Sequence, residues 1–267
     1  MKNTGILRIQ AYGARQSSPI EGVLVTVSGN GFTAQRITDE TGTAADLSIE
    51  APSCALSLQE DNTIRPYAVV DLTAAKAGFR TVRIQSVQIF AGQVTLAQPE
   101  MIPETEEDRD VVNPPIVIPE HSLFTGDGGS GPDPMENCVP RVLDRVIIPK
   151  NITVHLGKPA ASARNVTVSF RDYIANVASS EVYPTWPEQA LRANIHCQIS
   201  LALNRIYTEW YPSKGYTFNI TNSTSYDQYY VHGRTVFDVM VRITDDIFNT
   251  YILSLIHISE PTRRVVI

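Results

Sequence analysis

YAVVDLTAAKAGFRTVRIQSVQIF, Tyr67 to Phe90, is the stretch that decides how the first part of this 267-residue chain folds. Along Thr81–Phe90, Val82 and Ile84, then Val87 and Ile89, alternate with polar residues, with one phase shift between the pairs. A period of two marks a strand with one buried face, and one extra residue near Gln85–Ser86 would make the shift a β-bulge. KAGF (Lys76–Phe79) reads as a turn between this run and YAVVDLTA before it. Working outward, the same β-prone composition recurs in ILRIQAY (Ile6–Tyr12), VLVTVSG (Val23–Gly29) and FTAQRIT (Phe32–Thr38). SPIEG, SGNG and TDETG punctuate these runs, and no long segment has a period of 3.6. Short strands with turns every eight to twelve residues or so predict an all-β sandwich over residues 1–101.

Beyond that block the composition changes. Residues 102–149 hold ten acidic and three basic residues, eight of the 17 prolines, and GDGGSGPDP (Gly126–Pro134). Proline removes backbone donors and glycine raises the cost of ordering, so the stretch reads as a solvated linker. One piece, IVIPEHSLF (Ile116–Phe124), is apolar enough to lie against a domain surface. The net charge of −6 argues against a general nucleic-acid binder, which needs a basic excess. No run of 18 apolar residues occurs, so no membrane span is expected. The opening MKNTGILRIQAYGARQ lacks the apolar core of a secretory signal. Cys54, Cys138 and Cys197 are too few for a disulfide framework and lack metal-site spacing.

Residues 150–252 predict a second, α+β and mainly helical domain. ITVHLG (Ile152–Gly157) and VTVSF (Val166–Phe170) read as strands. Arg171–Ser180 reads as a helix with Phe170, Ile174, Val177 and Ala178 on one side. Pro187 suits the first position of a long helix whose stripe is Leu191, Ile195, Ile199, Ala202, Ile206 and Trp210, ended by Pro212 and Gly215. A last helix is expected over Thr235–Tyr251, with Val236, Met240, Ile243, Ile247 and Tyr251 on its stripe. Between the first two helices stands Glu181, at a corner bent by Pro184 and Pro187 and flanked by Val182, Tyr183 and Trp186. Apolar neighbours desolvate a carboxyl and raise its pKa, as a general acid near neutral pH requires. The competing reading is a glutamate that merely caps a helix or pairs with an arginine.

Two resemblances extend this reading. Pro19-Ile20-Glu21-Gly22-Val23-Leu24-Val25-Thr26-Val27, Thr38-Asp39-Glu40-Thr41-Gly42 and Lys76-Ala77-Gly78-Phe79 resemble the carboxypeptidase regulatory-like (transthyretin-like) domain family over about residues 4–101. That implies a folding or docking module, in keeping with a block that contains no histidine. VASSEVYPTWPEQALRANIHCQISLALNRIY (Val177–Tyr207) resembles the stage II sporulation protein D family of peptidoglycan lytic transglycosylases. The matching residues are Glu181, Pro184, Trp186, Pro187, Ala190, Leu191, Ala193, Gln198 and Arg205, supported by Gln228, Tyr230 and Gly233 in TFNITNSTSYDQYYVHGR (Thr217–Arg234). The YPTWP bend and the QISLALNR helix depart from the family's usual pattern, which marks a divergent branch.

The second resemblance implies that Glu181 is the single general acid and base cleaving glycan strands. It implies Tyr183 and Trp186 as sugar-stacking residues, against the competing reading that both aromatics simply pack, and Asp227, Gln228 and Tyr230 as further substrate-binding residues. The implied partners are peptidoglycan glycan strands, with protein docking through the sandwich, at a cell wall or spore envelope. The family continues past Tyr251 with a glycine-rich segment and the Cys/His ligands of a zinc site. Here the chain instead ends LSLIHISEPTRRVVI (Leu253–Ile267), and SLIHISEPTR looks like translated sequencing-adapter read-through. The expectation is therefore a non-native tail over 253–267, an incomplete and poorly active second domain, and no cofactor in this fragment, zinc belonging to the full-length family domain. A non-catalytic wall-binding or structural protein of a spore or phage-like particle is the alternative. Metal-dependent hydrolysis is disfavoured, because His121, His155, His196 and His232 form no HExxH motif.

Overall fold

A computed structural model describes residues 3–13, 18–59, 62–105, 113–125 and 147–249. GDGGSGPDP, Cys138, Tyr251 and the 253–267 tail lie outside the described residues. In chain order the elements are β1 (Thr4–Gln10), β2 (Leu24–Gly29), β3 (Phe32–Ile37), β4 (Thr43–Glu50), β5 (Ala68–Ala75), β6 (Val82–Ile89), β7 (Val94–Ala97), β8 (Ile116–Val117) and the one-turn α1 (Ser122–Thr125). There follow β9 (Asn151–His155), β10 (Asn165–Ser169), α2 (Phe170–Glu181), α3 (Glu188–Tyr207), β11 (Ile220–Thr221), β12 (Val236–Phe237) and α4 (Asp238–Ile247). The chain is mostly β-sheet, with three longer helices in its C-terminal part. It divides into two units, one taking in residues up to Phe124 together with His232–Val239, the other Thr125–Val231 and the chain from Met240.

The first unit has two sheets, in the orders β3-β2-β5-β6-β8 and β12-β7-β1-β4. Alternate residues of each strand supply one core, with Val23, Val25, Val27, Val70, Leu72 and Ile84 from one sheet and Leu7, Ile9, Leu47 and Ile49 from the other. The bulge stands where the phase shift predicts it. Leu72 pairs with Ile84 and Val70 with Val87, so Gln85 and Ser86 both oppose Asp71. Ser86 takes a φ of 61° and its N–H donates to Asp71 Oδ1 at 2.9 Å. The extra residue lets Ile84, Val87 and Ile89 all reach the core. Strands β4 and β7 were not expected from the sequence. β7 is only four residues long, and β4 (TAADLSIE) has a mixed pattern with Asp46 and Ser48 exposed.

Two segments outside residues 1–101 complete this unit. Ile116–Val117 pairs in parallel with β6, Ile118 enters the core, and Gln88 Nε2 donates to the Pro119 carbonyl at 3.0 Å. The apolar stretch of the expected linker thus lies along the edge of this sheet, with Ile118 in the core and Ile116 packed against it. Val236–Phe237 pairs antiparallel with β7, and the buried Phe237 ring meets Phe90 edge-on at 5.3 Å. The helix expected from Thr235 therefore starts at Asp238, because the ladder to β7 and the burial of Phe237 hold the preceding residues extended.

In the second unit, β9 lies between antiparallel β10 and parallel β11. Ser169 caps α2, its hydroxyl accepting from Asp172 N at 3.0 Å. From Tyr173 to Ser180 every residue of α2 is buried, so this helix is central rather than amphipathic. It stops at Glu181, two residues short of Tyr183, whose place before Pro184 disfavours a helical backbone. Pro187 occupies the cap of α3 rather than its first turn. The expected stripe of α3 is buried at Leu191, Ile195, Ile199 and Ala202, with Gln198 and Arg205 set into the same buried face. No helix among the described residues is long and apolar enough to cross a membrane.

Candidate active site

Glu181 is the last residue of α2, and its carboxyl turns into the second unit rather than out to water. Its Oε1 accepts from the Tyr229 backbone N–H at 2.9 Å, and its Oε2 accepts from Gln198 Nε2 at 2.9 Å. Both partners are neutral. Burial raises its pKa above the ordinary glutamate value, and the two donors partly offset that. The result is a carboxyl held in one plane, with its pKa moved upward in the direction that general-acid chemistry requires.

The segment that delivers the Tyr229 N–H is fastened on both sides. Gln228 accepts from the Tyr173 hydroxyl at 3.0 Å and donates to the Gln198 backbone carbonyl at 3.1 Å. Asn176 clamps Val231 from both ends of its amide, donating to the carbonyl at 2.8 Å and accepting from the N–H at 3.0 Å. The Tyr230 ring stacks on Tyr173 at 5.5 Å. Burial pushes the Tyr173 and Tyr230 hydroxyls well above their usual pKa, so both stay neutral.

Just before this segment lies a buried ion pair. Arg205 Nε donates to Asp227 Oδ1 at 2.6 Å, with the two side chains 2% and 0% exposed. Asp227 Oδ2 accepts from the Tyr211 hydroxyl at 2.5 Å, the Thr221 N–H at 3.0 Å and the Thr221 hydroxyl at 2.7 Å. Arg205, on the buried face of α3, is thus engaged with Asp227 and not with Glu181.

These placements correct much of the expected substrate-binding set. The Asp227 side chain is inaccessible and its oxygens are taken up by the chain's own donors, so it fixes the loop instead of meeting a sugar. Gln228 is 3% exposed with its amide engaged by Tyr173 and the Gln198 carbonyl, and Tyr230 is 4% exposed with its ring stacked on Tyr173. Tyr183 is 7% exposed and meets Trp186 edge-on at 6.3 Å. Only Trp186, half-buried beside Glu181 in sequence, keeps surface for a ligand. Sequence reasoning missed Tyr173, Asn176 and the Tyr229 N–H. A helix buried all round gives no stripe to mark Tyr173 and Asn176, and a backbone donor leaves no trace in residue type. Among the described residues, no cluster of three or more His, Cys, Asp or Glu side chains could hold a metal ion.

No family model matches the chain, and no curated protein does. Solved structures similar to part of it include the Bacillus anthracis TIE protein, at 14% identity over 38% of this chain and 17% of that one, with a TM-score of 0.28. 3-Chlorocatechol 1,2-dioxygenase from Rhodococcus opacus 1CP matches at 14% identity over 39% of this chain and 62% of that one, with a TM-score of 0.28. Klebsiella pneumoniae 5-hydroxyisourate hydrolase matches at 20% identity over 38% and 94%, with a TM-score of 0.23. The chain spans less than two thirds of the first two of these proteins. Likeness at this level carries no argument about what the chain does.

Proposed function

We propose that this chain is a peptidoglycan-remodelling protein of the stage II sporulation protein D kind, in which Glu181 cleaves glycan strands as a lytic transglycosylase. The observation that carries the reading is the Glu181 carboxyl itself, partly desolvated at a proline-bent corner and held by the Tyr229 N–H and Gln198 Nε2, with no cation on it among the described residues. As an acid, Glu181 protonates the glycosidic oxygen after the muramic residue, and that C–O bond breaks. As a base, it then takes the proton from the same sugar's primary hydroxyl, whose oxygen closes the anhydro ring. The proton returns to the carboxyl, no water is consumed, and one carboxyl suffices where ordinary glycosidases use two. Trp186 supplies an aromatic face for a sugar ring. The sandwich serves as a docking module.

The test is digestion of purified sacculi with the purified protein, read by mass spectrometry. The reading expects anhydro ends from wild type and none from Glu181→Gln, with glycan pelleting retained by both. Wild type that pellets with sacculi and forms no anhydro ends would establish the non-catalytic wall-binding alternative.

A further inference from the structure

We propose that Gln198 is a positioning residue for Glu181, holding the plane of its carboxyl with a side-chain amide N–H while its side-chain oxygen Oε1 stays buried with no partner among the described residues. Gln198 is only 5% exposed and lies on the buried face of α3, one residue from Ile199, where an apolar side chain would pack at no polar cost. Its Nε2 donates to Glu181 Oε2 at 2.9 Å, and its Oε1 is buried without a hydrogen-bond partner. An unpaired buried acceptor is unfavourable and calls for a reason. The reason is Glu181. Turning the amide over would set Oε1 against an ionised carboxylate oxygen, acceptor against acceptor, so the orientation that orphans Oε1 is the one the carboxylate dictates. A polar residue kept on a core stripe with an unmet group is the kind of local rule-breaking that marks function rather than stability.

Gln198 also joins the three pieces that build the corner. Its side chain reaches the end of α2, its backbone belongs to α3, and its carbonyl accepts from Gln228 Nε2, one residue before the N–H that holds Glu181 Oε1. A carboxylate has about four lone-pair directions. Two are used by Tyr229 and Gln198, which leaves one on each oxygen for the travelling proton. The amide therefore fixes where the proton points, and it favours the ionised form that must act as base.

This inference rests on the proposed function, but its decisive reading does not need activity. In protein carrying carboxyl-13C glutamate, Gln198→Met should make Glu181 titrate at higher pH than in wild type, since burial then acts with one donor fewer. Gln198→Glu, which keeps the polar character, should instead give two carboxyls titrating as a coupled pair. On sacculi, Gln198→Met should lower kcat about tenfold or more with KM within about twofold, because aim is lost and binding is not. Its high-pH limb should move upward. If Glu181 titrates as in wild type in both folded variants, Gln198 is a packing residue and the inference is overturned. If the titrations move as expected but wild type forms no anhydro ends, the enzymatic reading fails and the positioning role stands.

Discussion

Glu181 feels burial, which favours its proton, against two hydrogen bonds, which favour its charge, and burial wins. That makes a stability prediction. A folded-state pKa above the unfolded value means the folded state binds more protons between the two, so this group's contribution falls as pH rises from about 4.5 through the folded pKa. Glu181→Gln removes the group, and the Gln198 amide has a spare carbonyl that can turn to accept from the new amide. The melting temperature of Glu181→Gln relative to wild type should therefore climb across that window. Parallel curves would show that the carboxyl is not desolvated. Asp227 makes the opposite case. Asp227→Asn would leave Arg205 charged and unpaired in the interior, costing about 3–5 kcal/mol in denaturant unfolding. A loss under about 1 kcal/mol would mean that the pair does not hold the loop. The corner that carries Glu181 was legible because two prolines and an aromatic follow it. Asp227, which the resemblance implied as a sugar ligand, is buried against Arg205 instead. The clue lay in α3, where Arg205 falls in step with Leu191, Ile195, Gln198 and Ala202, and a charge on a core stripe demands a buried acid.

At the scale of elements, the strands with clean alternation were readable, and so was the bulge at Gln85–Ser86 that breaks it. The TDETG turn was readable as well. Asp39 Oδ1 accepts from the N–H groups of Thr41 and Thr43, and Gly42 takes a φ of 72°. A Cβ on Gly42 would stand 2.4 Å from the Ala11 carbonyl oxygen. Gly42→Ala should therefore cost about 2 kcal/mol or more in unfolding free energy, from both the strained φ and the clash. A neutral substitution would show that β1 and the turn can separate without loss. Strands β4, β7 and β12 escaped the sequence because each is short or mixed in pattern and exists through its ladder partners. Helix α2 was legible as a helix over Arg171–Ser180, but its burial from Tyr173 to Ser180 was not, since the sequence showed only one apolar side.

At the scale of the whole molecule, the sandwich is built from three separated stretches, residues up to 105, the Ile116–His121 segment, and His232–Val239. No local pattern announces such a return. The sequence reads Phe237 as helical, and only the ladder with β7 and the Phe90 ring reveals it as sandwich core. Phe237→Ala should destabilise this unit by about 3–5 kcal/mol and speed hydrogen exchange in β7. Unchanged exchange there would show the return strand to be dispensable. The central claim concerns chemistry, and it is tested most directly by the products released from sacculi by wild type and by Glu181→Gln. The account predicts glycan ends one water lighter than hydrolysis products from wild type and none from the variant. Equal yields of anhydro ends from both proteins would contradict it.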